Sequence, residues 1–472
     1  MSYSRRGYFA LKVETTENTA VIPDVFLGIT SFDVPTQYAT VASSPILADR
    51  NTRINARKGP IDAPQGTIGV QIEPRGFGYF MRAVMGAITS GRYFPISSVT
   101  GTFVVGETVT GGTSFATAVV IAVSSEADYL LMGTPTGTFT ASGEALTGGT
   151  SGATATLGVN AATVYGHEAN APQNSLPTFT VEIGFENEAQ RFTGVRFPAF
   201  SSIGHDDNLM TAELEFFARG AFTLGRVTAI TTTGSGSKVI SLDQTQGLVV
   251  GDSVKLFRPG TGFLDFEGTG DKVHTIDSIS AGVSITVTNL ETATAVGDMI
   301  LLSPQTPSYT LGKEMTWVGG AIAKFGDLMT TVVASSTVGD VEEFELTVTN
   351  EMESRHAANA ANIAGRFPTA NHLKGFMGNG SIMRAYQDAT LLDRLRNMTQ
   401  TAIQVRVTND QIASTGVYEI LDMRLPNCVI EPFNPTFDED SVLDEKVSFN
   451  LFRDTTAGYT AKMLLVNANT SY

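Results

Sequence analysis

The chain of 472 residues holds a single cysteine, Cys428, and a single tryptophan. One thiol excludes an internal disulfide and any cysteine-based zinc finger. Cys428 reads instead as a small buried apolar residue in the strand Asn427-Cys-Val-Ile430. Charge is also scarce: 17% of residues are charged, below the usual quarter. The 31 Lys and Arg are outnumbered by 47 Asp and Glu, for a formal net charge of −16. That argues against a tight grip on a phosphate backbone, which needs a basic face. An acidic chain can still let nucleic acid through a channel, because like charge disfavours sticking. Ordinary solubility explains the acidity as well. No apolar run approaches the ~20 residues of a membrane span. No signal-peptide core follows Met1-Ser-Tyr-Ser-Arg-Arg6 either, since Lys12, Glu14 and Glu17 interrupt it.

What the chain does hold is glycine, phenylalanine and repetition. With 47 Gly, 28 Phe and 42% hydrophobic residues, it can fill several small β-cores with many turns. A prior of roughly 150 residues per domain suggests about three domains. One design is stated twice. Phe179-Thr-Val-Glu-Ile-Gly-Phe185, Arg196-Phe197-Pro198 and Ala212-Glu-Leu-Glu-Phe-Phe217 recur in order as Ile403-Gln-Val-Arg-Val407, Arg424-Leu425-Pro426 and Lys446-Val-Ser-Phe-Asn-Leu451. Each run gives a strand, an Arg-apolar-Pro corner, an acidic loop and a strand.

The division that follows is a discontinuous first unit over 1–95 and 166–225, a second over 305–460, and a tail over 461–472. Two small all-β insertions, 96–165 and 226–304, interrupt them. In the first insertion Gly101-Thr-Phe-Val-Val-Gly-Glu-Thr-Val-Thr-Gly-Gly-Thr-Ser-Phe-Ala-Thr-Ala118 is matched, with one inserted residue, by Gly137-Thr-Phe through Ala155. Its Gly-Gly between Thr residues predicts hairpin turns. In the second, Val250-Gly-Asp-Ser-Val-Lys-Leu256 echoes Val296-Gly-Asp-Met-Ile-Leu-Leu302, which predicts a turn in which Asp bonds its own backbone. Replacing a short turn by such an insertion costs only about 2 kcal/mol of loop-closure entropy. A helix is expected over Tyr79–Met85, with Phe80, Val84 and Ala87 on its apolar face and Gly86 or Gly91 as its stop. A second is expected over Leu391–Arg396. Glu343–Thr349 alternates as a half-buried strand, with Phe344, Leu346 and Val348 inward.

Catalytic signals are weak. His167-Glu168 lacks the second His of a zinc-protease helix and reads as a loop. His205-Asp206-Asp207 has metal-ligand residue types, but it matches the acidic loop Phe437-Asp-Glu-Asp440 and reads as a solvated or interface loop. Gly234-Ser-Gly-Ser-Lys238 lacks the P-loop ending and reads as a flexible turn. No Gly-x-Ser-x-Gly elbow occurs. No catalytic residue, cofactor or metal site is therefore expected. The one dense basic cluster, Arg50, Arg53, Arg57 and Lys58, lacks interleaved aromatics. It reads as a polar hairpin or arm that meets an acidic neighbouring subunit, with Asp438, Glu439 and Asp440 as its natural partners.

The duplicated order, together with Ser308-Tyr-Thr-Leu-Gly312 and Leu346-Thr-Val-Thr-Asn350, resembles the tail tube proteins of long-tailed bacteriophages in their larger, duplicated form. The resemblance covers about 1–95, 166–225 and 305–460. It implies a mainly β protein: two tandem tube-type β-barrel or sandwich domains, each with a short helix, plus the two small β insertions. It implies a virion protein, assembled in the host cytoplasm as homotrimeric, pseudo-hexameric rings stacked into a tube that delivers double-stranded DNA. Its implied partners are other copies of itself, a tape-measure protein, tail terminator and tail-tip or baseplate proteins, and DNA in transit without sequence-specific binding; no membrane is involved. Strands with one apolar and one polar face suit a channel lining, so some of Glu182, Glu213, Glu215, Glu345 and Gln404 are expected to face the lumen, with a solvent-exposed outer face as the alternative for each. Arg406 and Lys446 lie on comparable faces. Arg50, Arg53, Arg57 and Lys58 would bridge successive rings to Asp438, Glu439 and Asp440. The competing readings are a tail-tip, baseplate or fibre component that binds host-surface carbohydrate, and a depolymerase.

Overall fold

The computed structural model describes residues 7–33, 40–42, 56–58, 65–140, 142–204, 209–222, 224–264, 273–310, 312–335, 341–355, 370–385, 390–413, 415–432 and 444–472. Over these residues the chain is mainly β, with three short helices. It begins with β1 (Tyr8–Val13), β2 (Val25–Leu27), β3 (Ser31–Asp33), β4 (Thr40–Ala42), β5 (Ala56–Lys58) and β6 (Gln65–Gln71). β3 pairs β6 and β4 pairs β5, both antiparallel, with the second pair nested in sequence inside the first. Helix α1 (Phe77–Met85) buries Phe77, Phe80, Met81 and Val84 in the main core. Gly86, at φ 93°, turns the chain out and donates its N–H to the carbonyl of Arg82. Ala87 lies beyond this cap and is exposed, so it is not on the helical face expected for it.

The first insertion is a closed six-stranded barrel. β7 (Ile88–Thr100), β8 (Thr108–Gly111), β9 (Thr117–Val123), β10 (Tyr129–Met132), β11 (Ala145–Gly148) and β12 (Thr154–Leu157) pair in the cycle β7-β12-β11-β8-β9-β10-β7, all antiparallel. Closure leaves no open edge. Phe94, Phe103, Val109, Leu130, Phe139 and Leu146 fill it. β7 is shared: its first residues pair β13 (Tyr165–Ala171) of the main body, and its last close the barrel. β13 corrects one expectation, since His167 and Glu168 sit in this strand rather than in a loop. His167 is fully buried between Ser90 (2.8 Å) and Asn467 (3.3 Å), and burial pushes its pKa down to about 4.

The main body continues with β14 (Phe179–Gly184), β15 (Ala189–Gly204), β16 (Thr211–Phe217) and β17 (Gly220–Phe222). The second insertion is a seven-stranded sheet: β18 (Leu224–Arg226), β19 (Gly234–Ser241), β20 (Ser253–Arg258), β21 (Gly262–Phe263), β22 (His274–Ser280), β23 (Ser284–Leu290) and β24 (Met299–Leu302). Gly234–Lys238 opens β19 and is not the flexible turn expected. The echoed turns superpose in their chemistry. Gly251 and Gly297 both have φ 94°, and Asp252 and Asp298 accept the N–H three residues back, from Val249 (2.6 Å) and Ala295 (2.7 Å).

The rest comprises β25 (Ala321–Gly326), α2 (Met329–Ala334), β26 (Glu343–Arg355), β27 (Ala370–Ala385), α3 (Thr390–Arg396), β28 (Thr401–Gln411), β29 (Tyr418–Ile430), β30 (Asp444–Leu451) and β31 (Ala461–Asn467). Residues 461–467 are not a tail. The run Met463-Leu-Leu-Val466 is buried on both faces as β31, between β13 and β29, as a continuous apolar strand should be. The two body units share one plan. β1 pairs β14 as β25 pairs β28, and α1 and α3 each lie between a long hairpin and the strands that follow it.

Candidate functional site: a polar sheet face between two open edges

Eight strands of the body form one ladder in the order β3-β6-β16-β15-β26-β27-β30-β29. The first four belong to one unit and the last four to its copy, in matching order. Alternation gives the ladder two unlike faces. Ile68, Leu214, Phe200, Val348 and Phe449 point into the main core. The other face is polar. Along one cross-strand row stand Ser31, Gly69, Glu213 and Ser201, continued in the second unit by Thr347, Asn379, Asn450 and Val429. A neighbouring row carries Asp33, Thr67 and Glu215, and another carries Gln71, Thr211, Glu345, Ser381 and Ser448.

The structure thus brings Glu213, Glu215 and Glu345 together on one face. The two first are exposed and Glu345 is half-buried. Lys446 shares the face, 3.8 Å from Glu343. Glu182 and Gln404 are not there, which corrects their expected place. Both are buried in the subunit, because each has a polar partner across its own hairpin: Arg191 for Glu182, Asp422 for Gln404. Arg406 is paired in register with Asp422, in β28, away from this ladder. Arg57 and Lys58 lie in β5, opposite Val41 and Thr40. Arg50, Arg53, Asp438, Glu439, Asp440 and the His205–Asp207 loop fall outside the described residues.

Units one and two meet where β15 pairs β26, with Ala199 opposite Thr349, Ser201 opposite Thr347 and residue 203 opposite Glu345. The hydroxyls of Thr347 and Ser201 are 3.2 Å apart. Each end of the ladder carries half of the same junction. β3, the counterpart of β26, has β6 as its one strand partner among the described residues. β29, the counterpart of β15, has β30 along Cys428–Ile430, and β28 reaches it there only at Thr401 opposite Cys428. Two independent matches fix the equivalence. The cross-strand row sets Ser201 in the place of Val429, and counting from Arg196-Phe-Pro198 and Arg424-Leu-Pro426 does the same.

Two buried arginines tie the insertions to this body: Arg191, which no sequence motif marks, and Arg424, marked in the sequence only as part of a corner motif. The Arg191 guanidinium donates to Glu182 (2.6 Å), to both oxygens of Asp252 (2.7 and 2.9 Å) and to the carbonyl of Gly247 (2.9 Å). Glu182 also accepts from the Tyr8 hydroxyl and from Gln305 (3.0 Å). Burial raises the Asp252 carboxyl despite Arg191, and burial together with Glu182 holds the Tyr8 hydroxyl far above its ordinary value. Arg424 donates to Glu126 (2.7 Å) and Asp128 (2.6 Å) of the barrel and to Asp422 (2.8 Å) of its own strand. Lys462 (2.9 Å) and the Tyr459 hydroxyl (2.5 Å) complete the shell of Glu126. Burial pushes the Glu126 carboxyl up, but Lys462 and Arg424 outweigh it and hold it well below the carboxylate range. The signal that could have found such groups is charge inside an otherwise apolar strand, as with Asp422 and Arg424 in Ile420-Leu-Asp-Met-Arg-Leu425. Among the described residues no group of three His, Cys, Asp or Glu is placed to hold a metal ion. No protein-family model matches the sequence, and no curated protein matches it.

Proposed function

We propose that the chain is a structural subunit that joins head to tail with its own copies into a closed ring. The observation that carries this is the β15–β26 junction: the ladder ends in β29 and begins in β3, the two halves of that junction. A contact that uses different patches on each partner closes into a ring when its rotation allows, and pairing removes the exposed-edge liability. The core lies on one side of the ladder, so the polar face with Glu213, Glu215 and Glu345 forms the inner wall. Three copies give six repeats of a four-strand unit, a trimer with sixfold-like symmetry. With the resemblance to tail tube proteins, this supports stacked rings that form a phage tail tube in the virion, assembled in the host cytoplasm. Double-stranded DNA passes a wall rich in hydroxyls and carboxylates without being gripped. A tape-measure protein, a terminator and tail-tip proteins are the partners such a tube requires, and no catalytic step is assigned to it.

A cross-link tests the junction. Ser31→Cys with Val429→Cys places two thiols opposite each other between copies; Ser201→Cys with Thr347→Cys places them at the equivalent place within one chain. Native Cys428 is buried. On oxidation the first pair should give covalent dimers and trimers, and the second an internal bridge. Internal bridging without any multimer from the first pair would contradict the reading.

A further inference from the structure

We propose that one face of the barrel, that of its first repeat, is a docking surface for a second copy of this chain. The repeat supplies its own control. Val119 stands opposite Thr108 as Thr156 stands opposite Ala145. The N–H of Gly106 bonds the carbonyl of Val120 as that of Gly143 bonds Leu157, and the N–H of Phe115 bonds Gly111 as that of Gly152 bonds Gly148. The matched places therefore hold Phe115, Val119 and Ile121 in the first repeat and Gly152, Thr156 and Gly158 in the second. Val104 and Val105 precede Gly106, where Thr140, Ala141 and the inserted Ser142 precede Gly143. All five of these apolar side chains are exposed, Phe115 at 77%.

The fold does not require them, because the second repeat makes the same hairpin with hydroxyls and glycines. Phe115 is the sharpest case. It has φ +56°, the left-handed region in which its counterpart Gly152 sits at +67°. A bulky side chain is disfavoured there, and an exposed ring gains nothing in the isolated subunit. Val119 and Ile121 alternate onto the exposed face of β9, and the bond from Gly106 to Val120 holds the Val104–Val105 turn beside that strand; exposed apolar surface of this kind marks an interaction site.

Charge selects the occupant. Residues 96–165 contain no Lys or Arg. Of their acids, Glu107, Glu126 and Glu144 are buried and Asp128 is bound to Arg424. The face is uncharged, on a chain whose net charge of −16 sets copies against each other wherever charged surfaces meet. Depletion of charge is the compositional mark of an interface core. Copies held together by the proposed ring bring such faces within reach, and in that respect the inference rests on the assembly reading.

Maleimide labelling of full-length Phe115→Cys, with Gly152→Cys as control, tests it, since Cys428 is buried. Labelling of Cys at 115 should slow about tenfold or more on passing from isolated subunit to assembly, as expected of a desolvated contact. Labelling at 152 should not change. Val119→Cys, in a regular strand, repeats the measurement should Phe115→Cys impair folding. Equal labelling at 115 and 119 in both states, in a chain that does form rings, would overturn the docking surface and leave the ring standing. Protection in a particle that is not a ring would retain the docking surface and overturn the ring. A chain that stays monomeric at every concentration overturns both.

Discussion

Glu107 and Glu144 each hold the loop of the other's repeat. Glu107 accepts the N–H groups of Thr150 (3.1 Å) and Ser151 (2.9 Å), while Glu144 accepts those of Thr113 (2.9 Å) and Ser114 (2.6 Å). The Thr-Gly-Gly-Thr-Ser loops are therefore cross-braced, and neither hairpin is complete alone. Glu107→Gln or Glu144→Gln should each destabilise the barrel by about 1.5–3 kcal/mol, the range for hydrogen bonds to a charged group. Thermal unfolding checks this.

The same pair predicts an acid limit. Burial raises both carboxyls, but the N–H groups of Ser151 and Val104 for Glu107, and the N–H and hydroxyl of Ser114 for Glu144, outweigh it and hold both below the ordinary 4.5. A depressed folded-state value contributes stability that is full above the unfolded value and lost as pH falls through the folded one. The barrel's melting temperature should fall as pH drops below about 4.5 and stay flat from pH 6 to 8 as far as these groups are concerned. A fall confined to the range above pH 6 would contradict the bracing.

Arg191→Met leaves Glu182 and Asp252 buried without their cation. Breaking a buried pair from one side costs about 3–5 kcal/mol. Combining it with Glu182→Gln and Asp252→Asn should recover a large part of that loss. Denaturant titration of the single and triple variants measures the difference.

Glu213→Lys and Glu215→Lys lie on an open polar face and should change stability by no more than about 0.5 kcal/mol. Glu182→Lys places a cation against buried Arg191 and should fail to give soluble folded protein. Comparing melting curves of the three variants separates face from core.

The sequence carried the duplicated plan because Arg196-Phe-Pro198 and Arg424-Leu-Pro426 mark the same shift of pairing register in β15 and β29. It did not carry the register of the last strand. The residue pattern aligns Ala212 with Lys446, whereas the ladder aligns it with Phe449, since cross-strand partners and not residue types fix the row. The alternation in Glu343–Thr349 and in Thr211–Phe217 was legible because one face is wet. Glu182 and Gln404 sit in strands of the same appearance and are buried all the same, since which polar face is covered depends on Arg191 and Asp422, distant or unremarkable in sequence. The tail expected over 461–472 holds β31 at Ala461–Asn467 instead, because a short apolar run shows its role only when β13 and β29 flank it.

Electron microscopy of the assembled full-length chain, averaged along the particle axis, tests the central claim most directly. The account predicts rings of three copies with a sixfold-like inner wall formed by the β3-to-β29 ladder, Glu213, Glu215 and Glu345 facing the lumen, and the barrels outside. Particles without rings, or rings whose inner wall is any other face of the subunit, would contradict it.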